Sequence, residues 1–361
     1  GTFFLPGPTE VRDEVLAAMA RPMLGHRGAA FEAVYREVAA GMQGVFRTVQ
    51  PVLIATASAT GLMEAGVRAL PQGRVLAIVN GAFSERFARI AEACGRSMTV
   101  LRIPDGQVAS PDDLADALTH DRYAGITVVH SETSTGALTD IAALARVARD
   151  HDVPLVIDSV TGLAGTPIET DAWQLPFVLT GSQKALALPP GLAFAVAQPD
   201  FLRSAASSPG RGLYLDIVEM ASFAAKGQTP NTPAISLFFA AQVQVRHLLA
   251  EGIEARWARH AAMARQTWHW VSQAEARLGV RLEVVAPEGA RSPTVTAVRV
   301  PSGLDPAKIV AATKARGFVI GAGYGALKAE TFRIGHMGDH TTDGLGRCLE
   351  AVDDAIRSLR G

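Results

Sequence analysis

Cysteine is scarce: Cys94 and Cys348 are the only two in 361 residues, and they stand far apart. Two cysteines make neither a disulfide framework nor a zinc site, so two buried thiols in a cytoplasmic protein are expected. Lysine is scarce too. Of 34 basic residues five are lysine (184, 226, 308, 314 and 328) and the other 29 are arginine. A chemically special lysine therefore has few competitors. The net charge is −1, which gives no field to attract nucleic acid or an anionic membrane. The longest apolar run, around 234–241, is too short to span a bilayer. No basic stretch followed by an apolar one opens the chain, so no secretory signal is expected. HExxH and CxxC patterns are missing, and with them support for a metal site. G-x-S-x-G is missing, and with it support for an α/β-hydrolase. No Gly-Lys-Ser/Thr follows a glycine-rich turn, so there is no P-loop.

What is present reads as a well-packed globular chain, with 48% hydrophobic and 19% charged residues. From 52 to 197, short apolar runs alternate with helical stretches. The runs are VLIAT (52–56), RVLAIV (74–79), MTVLRI (98–103), GITVVH (125–130), PLVID (154–158), FVLTG (177–181) and AFAVA (193–197). Continuous apolar runs between helices predict strands buried on both faces, hence an α/β fold with a mostly parallel sheet flanked by helices. Beyond 216 the texture changes to long helical segments (234–250 and 253–277). An alternating strand at 294–300, the strands FVIGA and TFRIG, and a closing helix near 342–359 then predict a smaller α+β unit. The expected division is a large domain over 12–250 and a small C-terminal one over 251–361, with an arm at 1–11 packing on the latter.

In open α/β sheets ligands sit at the carboxyl ends of the strands. The residues at those ends here are small and polar. Lys184 follows FVLTG in a Gly-Ser-Gln-Lys turn and leads into ALALPPG. A turn lysine is most often solvated; between two apolar segments it is costly unless neutral, paired or covalently engaged. Asp158 ends PLVID on the preceding strand. It is either a turn aspartate or a counter-charge for a protonated ring nitrogen. Ser58-Ala59-Thr60-Gly61 stands between a strand and a helix, as an N-cap or an anion site. Phe83 is either core or a ring to stack on a planar ligand. In His130–Gly136, Thr133 offers a hydroxyl, while Glu132 caps or buffers charge. Arg333, in TFRIGHMG, and Arg27, in a His-Arg-Gly turn, offer guanidinium groups to a carboxylate, with a structural salt bridge as the plain alternative.

Together LPGPTEV (5–11), SATGLMEA (58–65), HSETSTG (130–136), DSVTG (158–162), GSQKALALPPG (181–191), TPAISL (232–237) and FRIGHMG (332–338) resemble the class V aminotransferases. These are fold type I enzymes of pyridoxal 5′-phosphate (PLP), a group that holds alanine–glyoxylate and serine–pyruvate aminotransferases. The resemblance implies Lys184 as the covalent anchor and proton shuttle and Asp158 at the pyridine nitrogen, with Phe83 and Val160 on opposite ring faces. It implies Ser58, Ala59, Thr60 and Gln183 at the phosphate and Thr133 at the ring oxygen. Arg333, with Gly7 alongside, would take the substrate carboxylate. It further implies a homodimer in which the loop 226–233 of a second subunit, through Gln228 and Thr232, completes the phosphate site. The donor is expected to be alanine or serine and the acceptor glyoxylate or pyruvate. If Arg27 points inward, aspartate or phosphoserine becomes the alternative. A lyase or cysteine desulfurase on the same fold would need a mobile cysteine, and Cys348 falls within the last helical pattern.

Overall fold

The computed structural model describes residues 1–360. In chain order, β1 (Thr2–Phe4) is followed by β2 (Val52–Thr56), β3 (Val75–Val79), β4 (Met98–Arg102) and β5 (Gly125–Val129). Then come the short pair β6 (Ser131–Glu132) and β7 (Ala137–Leu138), β8 (Leu155–Asp158), β9 (Phe177–Gly181) and β10 (Leu192–Ala197), and later β11 (Glu283–Val284), β12 (Val295–Arg299), β13 (Phe318–Ala322) and β14 (Thr331–Gly335). Seven strands form the larger sheet in the order β2-β10-β9-β8-β5-β3-β4. Only β10 runs against its neighbours; the rest point the same way. The strands β3, β5, β8 and β9 are buried along their length and mostly apolar, because helices cover both faces and leave no solvated side on which polar residues could alternate.

The second sheet has five strands in the order β1-β13-β14-β12-β11. β1 pairs parallel with β13, so the first residues of the chain are woven into a sheet built otherwise from its last eighty or so. β12 and β14 pair antiparallel, with Ala297 opposite Arg333.

One expected helix differs in extent. The long helix ends at Ser272, and a separate turn of helix covers Ala274–Leu278. Gln273 sits at φ −92°, ψ 1° between them, and the Arg277 guanidinium folds back on the Trp270 carbonyl and on Asp353, which fixes the break. The first helix of the chain spans Asp13–Ala18. Cys348 is buried, but Cys94 at the end of the helix Ala82–Ala93 is only half-buried, in contrast to the expected pair of buried thiols. Among the described residues no helix is long and apolar enough to cross a membrane.

Helix Ala59–Ala69 shows how the fold aims its ends. Gly66 sits where a Cβ would come within 2.6 Å of Val156 and 2.9 Å of Phe177, so the helix lies close on β8 and β9. Its N-terminus is thereby held at the carboxyl edge of the sheet. The helix Ala82–Ala93 after β3 starts at the same edge.

Candidate active site

Lys184 stands three residues past β9 and is 8% exposed. Its Nζ donates to the Pro6 carbonyl from the N-terminal arm. A Cβ on Gly7 would lie 2.6–2.7 Å from Cδ, Cε and Nζ of this lysine, and Gly7 has φ +111°. Only glycine passes the lysine here. Burial pushes the Lys184 amine down to about 8; Arg333 and Arg86 push the same way, while Asp158 and Glu132 oppose them. In the cofactor-free protein, labelling of Lys184 by an amine-selective acylating reagent should reach half its maximum near pH 8. Peptide mass spectrometry reads Lys184 apart from the other four lysines. The unfolded chain holds this proton up to the ordinary lysine range. The group's contribution to stability therefore rises with pH from about 8 towards 10.5.

Asp158 ends β8, the strand next to β9. One carboxylate oxygen accepts from the Val160 amide at 2.8 Å, and among the described residues no other donor reaches the group. Burial pushes its pKa up to about 6 despite that bond. A buried carboxylate with so little compensation favours a cation beside it.

Lys184 and Asp158 line one cavity of about 240 Å3. The helix Ala59–Ala69 enters it end-on. Ser58 is its N-cap residue but makes no capping bond. The first backbone N–H groups of a helix have no intrahelical acceptor. With the Ser58 and Thr60 hydroxyls they offer a set of donors chemically suited to an anion. Gln183 reaches this end past Gly181, where a Cβ would stand 2.6 Å from its Oε1. Phe83 enters from the helix after β3. Glu132 sets that helix end, accepting from the Phe83 amide at 3.1 Å, the Ser84 amide at 2.9 Å and the Ser134 hydroxyl at 2.6 Å. The Thr133 and Thr161 hydroxyls are 2.6 Å apart.

Arg333 stands on β14 beside this cavity but is not among its lining residues; it touches the lining through the Thr133 backbone. Its Nε donates to the Ala322 carbonyl at 2.8 Å and Nη1 to that of Thr133 at 3.2 Å. No carboxylate among the described residues pairs with it, and burial lowers its pKa to about 10. A buried guanidinium held by neutral carbonyls and the face of Tyr324, with no carboxylate beside it among the described residues, is suited to an anion.

The sequence model of the family "Aminotransferase class-V" matches residues 6–333. A curated relative, L-aspartate–glyoxylate aminotransferase of Paracoccus denitrificans, is 33% identical, over 94% of this chain and 86% of its own. Serine–glyoxylate aminotransferase of Methylorubrum extorquens is 31% identical, over 99% and 92%. The crystal structure of an aspartate aminotransferase of subgroup IV from Thermus thermophilus superposes with a TM-score of 0.90 at 33% identity, covering 99% of this chain and all of that one. The chain belongs to the class V aminotransferases.

In this class V chain the fold gathers Gly7, Ser58, Ala59, Thr60, Phe83, Thr133, Asp158, Val160, Gln183 and Lys184 around one cavity. It does not bring Arg27, Gln228 or Thr232 there. Arg27 donates to Gln228 Oε1 at 3.2 Å and to the carbonyls of Thr229 and Pro230, so it holds the loop 226–233 instead of facing the cavity. Gln228 also donates to Glu32 at 2.8 Å, and Thr232 lies beside His26. Arg86, Thr161, Ser131 and Met63 line the cavity without having been singled out in the sequence. Tyr324 was missed as well; it stacks on Phe83 with ring centroids 5.3 Å apart, and Arg86 bonds to its hydroxyl at 3.2 Å. For Arg86 a signal existed: it follows Phe83 by three positions on a helix, and so shares its face.

Proposed function

We propose that this chain is a PLP-dependent aminotransferase that passes an amino group from a small amino acid, alanine or serine, to a 2-oxo acid such as glyoxylate or pyruvate. The observation that carries this reading is the placement of a buried amine, Lys184, and a barely compensated carboxylate, Asp158, on adjacent strand ends in one cavity.

The residues fit the cofactor. Ser58, Ala59, Thr60 and Gln183 would hold its phosphate, since they line the cavity at the helix N-terminus and, among the described residues, the Ser58 side chain caps no backbone amide. Asp158 would meet the ring nitrogen, and Phe83 and Val160 would bracket the ring. If Thr161 donates to Thr133, the Thr133 proton is free for the ring oxygen. When bound, the cofactor supplies an electron sink for the substrate carbon. Lys184 would hold it covalently, and its Nζ, when not so engaged, would take the proton from the substrate's α-carbon and deliver it on the cofactor side instead of back to that carbon. Arg333 fixes the α-carboxylate so that this carbon faces Nζ.

Homodimerisation belongs to the same proposal. The loop 226–233 stays outside its own cavity and is braced by Arg27, which suits a loop that serves a second subunit. Leu213 and Tyr214, near it in sequence, are 83% and 55% exposed. Two unpaired thiols suit a cytoplasmic setting. The desulfurase alternative loses ground, because Cys348 is fully buried in the closing helix and burial pushes its thiol up to about 12.

One observation favours a second reading, a dicarboxylic donor. Arg86 lines the cavity, and among the described residues it pairs with no carboxylate. It takes the place that Arg27 was expected to fill. The test is the visible spectrum of the holoenzyme during separate additions of alanine, serine, aspartate, glutamate and phosphoserine. Conversion of the lysine-linked band by one donor names that donor; no conversion by any sinks the aminotransferase reading. Arg86→Met then separates the two versions. For a dicarboxylic donor, kcat/KM for aspartate falls about 10²-fold while that for alanine moves less than about threefold. Equal changes leave the small-donor reading.

A further inference from the structure

Four successive carbonyls at the lysine turn are held from outside it. Those of Gln183 and Lys184 accept from the Thr9 amide at 3.2 Å and the Thr9 hydroxyl at 3.1 Å. The Ala185 carbonyl accepts from Arg256 Nη2 at 2.6 Å, and that of Leu186 from Gln244 Nε2 at 2.9 Å. Ala187 then turns the chain at φ +53°, a conformation that an alanine adopts only when its surroundings impose it. Arg256 is 1% exposed and Gln244 fully buried. Both converge on one carboxylate: Asp339 accepts from Arg256 at 2.9 Å and from Gln244 at 3.2 Å, while Arg12 from the arm binds it at 2.6 Å. The surrounding guanidiniums hold the Asp339 carboxyl below its ordinary range even though burial opposes them. Asp339 lies four residues beyond β14, the strand that carries Arg333.

A network that served stability alone could close among side chains. This one ends on the backbone of the residues that carry the amine, and it starts from the segment that carries the carboxylate anchor. We propose that Asp339 is a positioning residue for Lys184, acting through Arg256 and Gln244 to hold the lysine turn in fixed relation to Arg333. The inference rests on Lys184 being the reacting amine. Displacing a reacting group by about 1 Å costs on the order of 10²-fold in rate.

The test is Asp339→Asn, which keeps the shape of the side chain and removes its charge. In the holoenzyme kcat should fall about 10²-fold, with KM for the donor within about threefold of wild type. In the cofactor-free protein the pH of half-maximal Lys184 labelling should move up by about one unit, as a loosened turn lets water reach the amine. Asp339→Glu should recover part of both. If Asp339→Asn does not fold, Gln244→Met leaves the Arg256–Asp339 pair in place and should show the same two changes, with kcat down about tenfold. Either quantity staying at its wild-type value in the folded variant overturns the proposal, whatever happens to the melting temperature. A failure of the underlying reading shows elsewhere, in wild type: borohydride reduction would leave the cofactor off the peptide that contains Lys184.

Discussion

Lys184→Ala should lower turnover by more than about 10⁴-fold with every donor, because in the proposed reaction one atom serves both as covalent anchor and as base. Loss of a positioned general base alone costs about 10²–10⁴-fold, and the lost covalent route adds to it. The cofactor should still bind, since the helix end at Ser58, the Asp158 carboxylate and the two ring-facing side chains do not depend on the amine. The measurement is single-turnover kinetics beside equilibrium dialysis of the cofactor. A variant that turns over within about tenfold of wild type would remove Lys184 from the chemistry. One that no longer binds the cofactor would show that the cradle is too weak to hold it without the covalent bond. Truncating the lysine also empties the space that Gly7 leaves open. Gly7→Ala, excluded by contact in wild type, therefore becomes tolerable in the Lys184→Ala background only if its positive φ can relax.

Asp158→Asn should cost about 10³-fold in kcat, near the upper range for removing one electrostatic stabiliser from a water-excluded site. Cofactor-free stability should move the other way. The Asp158 carboxyl is pushed up to about 6 from an ordinary value of 3.8, so the folded chain binds this proton more tightly than the unfolded one. Its contribution to stability is therefore lost as pH rises from about 4 to 6, and at neutral pH the ionised group is a burden on the empty site. Asn carries no such burden. The melting temperature of the cofactor-free variant at pH 7.5 should not fall below wild type, whereas at pH 4 the two should converge. A variant both less active and less stable at pH 7.5 would assign Asp158 a structural role. In the holo protein the sign reverses, because a cationic ring beside the carboxylate compensates it.

Much of this site was legible because the chemistry lies where apolar runs stop. β8 reads as PLVID and β9 as FVLTG, and the polar residue ending the first and the lysine just past the second stand on neighbouring strands of one sheet. Buried parallel strands cannot hide a charge within their length, so charges collect at the ends. What the sequence left open depends on contacts between distant segments. β1 is three residues long, and its partner β13 lies more than three hundred residues away; no local pattern encodes that parallel pairing. Tyr324 meets Phe83 across the gap between the two sheets, and neither residue's neighbours announce the other. The direction of Arg27 was a choice between inward and outward, settled by three acceptors in the loop 228–230. The helix Pro111–His120, by contrast, carries a local signal that went unread in the sequence: Ser110 and Asp113 form a capping box, with Pro111 in the first turn.

The N-terminal arm leaves no clearance against the five-stranded sheet. A Cβ at Gly335 would fall 2.0 Å from the Leu5 carbonyl oxygen, and one at Gly321 would fall 2.6 Å from Pro6 Cδ. The arm therefore cannot slide along β13 or β14 and must ride with them. Pro6, whose carbonyl tethers the lysine amine, and Arg333, which waits for a carboxylate, are thus mounted on the same carriage. A shift of that strand pair would carry the Pro6 carbonyl away from the Lys184 amine and move the Arg333 guanidinium in the same stroke, so the two groups cannot be displaced independently.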